Sequence, residues 1–181
     1  MQTLPVAAHE GLHQFLMANL RDQLPMWAEE GLCVLAEGFK IRQNTVDFDK
    51  DSWSHFYDLR NAFKRNYWQK LDRLLEMDAG DALTEGNKQA VAYYAQLWSM
   101  MHYIRSKPQY RAGLERMIAD ARDGRIAGEL GINAIELRLL KTDPRKYNSK
   151  LSPKFFRRYI TQDLAAFERE YTQYAHELAN K

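Results

Sequence analysis

Apolar residues recur every three or four positions along most of this chain, a spacing that leaves few alternatives to a helical fold. Between Trp53 and Leu74, for example, large apolar side chains fall at successive helical steps. No stretch shows the alternation of apolar and polar residues that is typical of a half-buried strand. Only nine Gly and five Pro occur, and they fall where helices would begin or end. The pattern predicts an all-α fold.

The same spacing divides the chain into helices and loops within one domain. A chain of 181 residues is long enough for a single buried core, so we expect one helical domain over residues 1–181. Loops are predicted at 40–51, 77–87 and 141–153. Helices are predicted at about 3–20, 25–38, 52–74, 87–105 and 108–124, less regularly at 125–140, and from Ser152 to the end of the chain.

Composition excludes several classes of protein. The net charge of +2 gives no reason to expect nucleic acid or an anionic membrane as a partner. A single cysteine, Cys33, excludes an intramolecular disulfide framework. No signal peptide or membrane-spanning segment is recognised, and the compartment stays open.

The residues His9, Glu10 and His13 spell H-E-x-x-H. Residues at i and i+4 of a helix lie one turn apart on the same face, so both imidazoles can reach one zinc ion. Glu10 is rotated around the helix from His9, where it can take a proton from an attacking water. The motif predicts a zinc site with Glu10 as general base.

A third ligand is needed, and the next predicted helix offers candidates. One class of zinc peptidase extends the motif to a third histidine, but Leu16 and Asn19 occupy the corresponding positions here. The segment LPMWAEEGLCVLAEG supplies acidic residues instead: Glu29, Glu30 and Glu37. A short turn before Pro25 would place this helix antiparallel to the first and close to it.

H-E-x-x-H followed by P-x-W-x-x-E-G-L resembles the gluzincin type of zinc metallopeptidase, and more of the chain is similar to the bacterial peptidase-MA-like domains of unknown specificity. The resemblance covers residues 4–120 well and the rest loosely. It implies that the glutamate before Gly31, which is Glu30, is the third zinc ligand. It also implies that the helices form the active-site and C-terminal helical part of a zincin-like fold.

Such peptidases carry a sheet before the H-E-x-x-H helix, and its edge strand binds the substrate backbone. Only eight residues precede His9 here, so we expect this sheet to be absent from the chain as given. Two readings are open: an upstream part lies outside this sequence, or the protein works without it.

Several other side chains have two readings. Glu37 shares a helix face with Glu30, seven residues earlier, and either orients a ligand histidine or is a solvated glutamate. Tyr94 is a candidate donor to the oxyanion of a peptide substrate, although its apolar stripe favours core packing. His102 is also better explained as a partly buried structural histidine.

The remaining candidate residues are better interpreted as structural or solvent-exposed than as functional. Cys33 is interpreted as a small apolar residue. His55 and His176 have no acidic neighbours in the sequence at metal-binding spacing and are interpreted as surface or structural residues. The basic run 141–158 fits a solvated loop followed by a helix better than a nucleic-acid site.

Two functions therefore compete. The first is a zinc-dependent peptidase acting on a peptide or protein substrate, with zinc on His9, His13 and Glu30, and Glu10 as base. The second is a helical interaction module in which zinc only ties the first two helices together.

Overall fold

The computed structural model describes residues 3–42, 45–47 and 53–180, and these residues confirm the all-α fold. Besides helices they contain one small antiparallel hairpin, in which β1 (Lys40–Arg42) pairs with β2 (Thr45–Asp47). The first helices are α1 (Thr3–Asn19), α2 (Met26–Ala36), α3 (Trp53–Lys64), α4 (Leu71–Glu76), α5 (Ala79–Thr84), α6 (Asn87–Ser106) and α7 (Pro108–Asp123). They are followed by α8 (Ile126–Glu129), α9 (Ala134–Leu140), α10 (Pro144–Phe155), a π-helical turn (Phe156–Ile160) and α11 (Leu164–Ala179).

Helix α6 is the centre of the fold. It packs against α2, α3, α5, α7 and α11, and most of its side chains are buried, including Trp98 and Met101. The helix therefore has apolar residues on nearly every face, which is typical of a core helix. None of the helices in the described part of the chain is both long and apolar enough to cross a membrane.

The structure corrects four sequence predictions. The predicted helix 52–74 is broken after Lys64, where Asn66 adopts a positive φ of 56°. The predicted loop 77–87 contains α5, because Asp78 and Asp81 form a capping box at its start. The predicted loop 40–51 contains the hairpin, while its residues 43, 44 and 48–51 and the predicted cap Ser52 lie outside the described residues.

The fourth correction concerns the C-terminal third. The predicted loop 141–153 is largely α10, whose first turn is capped by the Asp143 carboxylate. The predicted helix from Ser152 is accordingly divided, because it ends in the π-helical turn and α11 restarts after Asp163. Charge in this segment reflected a solvated helix face and not a loop.

Buried Asn148, in α10, fixes the start of α2. Its Oδ1 accepts a hydrogen bond from the backbone N–H of Met26 at 3.0 Å. Its Nδ2 donates to the carbonyls of Glu76 and Met77 at 2.8 and 3.0 Å. The bond to Oδ1 satisfies the N–H of Met26, which has no partner within α2 because it lies in the first turn of the helix. The side chain thus ties α2 to α10 and to the end of α4.

Helix α7 approaches the π-helical turn closely at Gly113. A Cβ atom at this position would lie 1.8 Å from the backbone carbonyl oxygen of Tyr159, so the two segments would have to separate. We expect Gly113→Ala to lower the free energy of unfolding by about 1–3 kcal/mol or more, the range for overpacked interiors. Denaturant unfolding measures the change.

Gly128→Ala is the matched control, because nothing lies within 4 Å of a Cβ there. It should be neutral, or stabilising by up to about 1 kcal/mol from helix propensity alone. Equal unfolding free energies for the two variants would contradict the close approach at Gly113.

Candidate metal centre

The H-E-x-x-H helix is α1, and its two histidines face the same neighbour, α2. The Nε2 atoms of His9 and His13 lie 3.2 Å apart. Oε2 of Glu30, from α2, lies 3.4 Å from Nε2 of His9 and 3.6 Å from Nε2 of His13. The structure therefore brings together the three side chains that the sequence predicts as ligands.

The spacing of these three atoms fits a zinc ion. Tetrahedral coordination with Zn–N bonds of 2.0–2.1 Å places neighbouring ligand atoms about 3.3–3.4 Å apart. The three separations, 3.2, 3.4 and 3.6 Å, fall around that value. Glu30 is only 5% exposed, and its Oε2 has no hydrogen-bond partner among the described residues. A buried carboxylate oxygen without a donor is costly unless a cation compensates it.

Each of these two histidines has a second carboxylate near its other ring nitrogen. Nδ1 of His9 lies 2.7 Å from Oε1 of Glu37, and Nδ1 of His13 lies 2.9 Å from Oε1 of Glu29. Since a carboxylate only accepts, each Nδ1 carries a hydrogen, and in the neutral imidazoles each Nε2 keeps its lone pair towards the shared point. Glu37 thus takes the orienting position considered for it, whereas Glu29 contacts the far side of His13 and not the shared point.

The charges around His9 are strongly coupled. The neighbouring carboxylates of Glu30 and Glu37 raise the pKa of His9 to about 9 against the opposing effect of burial. Burial alone would raise the pKa of Glu37, but the neighbouring His55 and His9 lower it to about 2. Without a metal, a proton on His9 thus supplies the positive charge that the carboxylates require.

We call His9, His13 and Glu30 the metal set, as candidate ligands. A shallow cleft of about 200 Å³ opens beside it, lined by Val6, His9, Glu10, Glu37 and Tyr94. Glu10 is exposed on this cleft, as its rotation from His9 predicts. The Tyr94 ring centroid lies 6.2 Å from that of His9. Burial raises the pKa of Tyr94 to about 12, so its phenol keeps its proton at neutral pH and can donate it in a hydrogen bond.

Cys33 lies closer to the metal set than the sequence suggested. It is completely buried, and its Sγ and one nitrogen each of His9 and His13 all lie within 4.8 Å of one another. Burial raises the pKa of its thiol, as do the nearby glutamates, Glu30 foremost. Cys33 occupies a core position as predicted, but its sulfur is also a candidate ligand.

His55 was interpreted as a surface or structural residue, and the structure excludes the surface position and gives it an acidic neighbour from another helix. His55 is buried, and its Nε2 lies 3.4 Å from Oε2 of Glu37. The sequence did contain a signal, because His55 shares the buried face of α3 with Leu59 and Ala62 at helical spacing. His176 is exposed and stacks on Phe63, in keeping with a structural role.

Comparison with known proteins gives a family but no activity. No curated protein and no solved structure matches the chain. A family profile described as "Protein of unknown function (DUF1570)" matches residues 4–121, which span the metal set, the cleft and α6. Because this match covers well over half of the sequence, the chain belongs to the DUF1570 family of proteins of unknown function.

Proposed function

We propose that this protein is a zinc-dependent peptidase. The observation that supports the proposal is the convergence of His9, His13 and buried Glu30 on one point, with separations of 3.2–3.6 Å between their ligand atoms. A solvated pair of helix histidines would not require a buried carboxylate oxygen without a donor. Glu10 and Tyr94 on the adjoining cleft add the two groups that peptide hydrolysis needs beside a metal.

The chain's own groups have distinct roles in this reaction. Zinc, when bound, would polarise the scissile carbonyl and make an attacking water more acidic. Glu10 takes the proton of the attacking water and passes it to the leaving amine. The phenol of Tyr94 donates a hydrogen bond to the oxyanion that forms on the carbonyl. Glu29 and Glu37 hold the imidazoles of His13 and His9 in the tautomer that can bind metal.

A non-catalytic module is the second candidate, and Cys33 is the observation that favours it. Structural zinc sites have four protein ligands, whereas catalytic sites keep one position open. The thiol of Cys33 lies near enough to both histidines to complete a closed set after a side-chain rotation. In that arrangement zinc would only fix α1 against α2.

We expect the purified protein to bind roughly one zinc per chain, because the three ligand atoms already have the spacing that the ion requires. His13→Ala and Glu30→Ala should each abolish stoichiometric binding. His176→Ala, an exposed histidine far along the chain, is the matched control and should bind like the wild type. Elemental analysis after incubation with zinc and desalting gives the stoichiometry. Less than roughly a tenth of an equivalent of zinc per chain in the wild type would contradict the proposed zinc site.

Cobalt substitution distinguishes the open from the closed site. A thiolate ligand gives Co²⁺ an intense sulfur-to-metal charge-transfer band in the near ultraviolet, which nitrogen and oxygen ligands do not produce. The peptidase proposal, with Glu30 as third ligand, predicts that this band is absent from the spectra of both the wild type and Cys33→Ser. A band that Cys33→Ser removes would support the non-catalytic alternative.

Glu10→Gln tests the chemistry, because the amide is nearly isosteric but cannot accept a proton. We expect it to keep zinc and to lower peptide turnover by roughly two to four orders of magnitude, the scale of a positioned acid–base group. The assay is cleavage of a peptide library, with a chelated sample as background. Glu136→Gln, an exposed glutamate on α9, is the control and should leave turnover unchanged. Equal turnover by the wild type and Glu10→Gln would contradict the assignment of Glu10 as base.

A further inference from the structure

His55 lies outside the two helices that carry the metal set, on the first turn of α3. It is only 8% exposed, and its Nε2 has no hydrogen-bond partner within the described part of the chain. The carboxylate oxygen Oε2 of Glu37 faces this nitrogen at 3.4 Å. A buried ring nitrogen needs a polar partner, and this carboxylate supplies one at ion-pair distance.

Glu37 is therefore held between two imidazoles. Its Oε1 lies 2.7 Å from Nδ1 of His9, and its Oε2 faces Nε2 of His55 at 3.4 Å. Glu37 is the residue at the end of α2, just after Ala36, where the helix no longer restrains its long side chain on both sides. With the hydrogen bond to His9 alone, the carboxylate could still rotate about that hydrogen bond. The second contact, with His55, fixes the plane of the carboxylate.

His55 is itself held in place by the core. Its ring lies 5.4 Å from the ring of Trp98 on α6, between centroids, and α3 packs along α6. The chain of contacts thus runs from the central helix through His55 and Glu37 to His9. It gives the metal set a support that the H-E-x-x-H and E-G segments do not contain.

We propose that His55 is a positioning residue of the metal centre: through Glu37, it holds the imidazole of His9 in the orientation and tautomer that bind the metal. The inference rests on the proposed zinc site and adds to it a residue from a third helix. Groups that orient ligand histidines in this indirect way change metal affinity by about 10–100-fold.

The experiment is a double-mutant cycle between His55 and Glu37 with zinc affinity as the readout, measured by competition with a chromophoric chelator. His55→Leu keeps an apolar side chain against Trp98 but removes the ring nitrogen that faces Glu37, and should weaken zinc binding by about 10–100-fold. His55→Gln restores an N–H donor towards Glu37 and should recover most of this loss. In a Glu37→Leu background, His55→Leu should cause little further loss, because its effect passes through that carboxylate.

Two controls separate position from packing. His176→Leu removes a histidine that stacks on Phe63 and should leave zinc affinity unchanged. Denaturant unfolding of each metal-free variant shows that the fold is retained. Additive losses in the cycle, or failure of His55→Gln to recover affinity where His55→Leu loses it, would overturn the role of His55 while zinc binding by the wild type stands. No zinc binding by the wild type would overturn the metal centre and this inference together.

Discussion

Three lone-pair acceptors face one point between α1 and α2, and no hydrogen-bond donor lies between them when both histidines are neutral. Nε2 of His9, Nε2 of His13 and Oε2 of Glu30 are 3.2–3.6 Å apart, a distance at which acceptors repel unless a positive charge lies among them. Protonation of His9 supplies such a charge, in agreement with the raised pKa of that residue. A divalent cation is the stronger solution, because it satisfies all three atoms at once.

The rest of the fold holds these acceptors together against their repulsion. Gly31 allows α2 to lie close to α6, since a Cβ there would come within 2.8 Å of the Met101 side chain. Asn148 fixes the beginning of α2, and Glu37 at its end contacts both His9 and His55. The helix that carries Glu30 is therefore restrained along its length and at both ends. Preorganisation of this kind reduces the ordering that a metal would otherwise impose on the chain.

Local spacing accounts for what the sequence could reveal. His9 and His13 are one helical turn apart, so their common direction follows from helix geometry alone, and the apolar period fixed α1, α2, α6 and α7 closely. Glu30 required the resemblance to gluzincins, because a helix offers three glutamates and spacing does not choose among them. In the structure Glu30 reaches the shared point, whereas Glu29 and Glu37 reach the far nitrogens of the histidines.

What the sequence did not reveal depends on packing between distant segments. His55 is 18 residues from Glu37, with a hairpin between them. Cys33 comes near His9 and His13 only because α1 packs on α2. Several predicted boundaries of helices and loops were wrong for a related reason. The helical conformation is interrupted at Asn66, between α3 and α4. Polar residues of α10 such as Asn148 are buried because they form hydrogen bonds with other segments. Periodicity reports which face is apolar, but not which polar group a neighbouring helix requires.

Whether the proposed metal centre would be catalytic depends on which group takes the fourth position around the metal. One candidate, Cys33, is completely buried and does not line the cleft, so it approaches the triangle from the core. Glu10 and Tyr94 line the cleft, which is open to solvent. A structural site would need no exposed glutamate directly after its first histidine and no phenol across the cleft, whereas hydrolysis needs both. The complete burial of the Cys33 thiol, together with the position of Glu10 and Tyr94 on the cleft, therefore favours the proposed coordination open to the cleft, with Cys33 as part of the core.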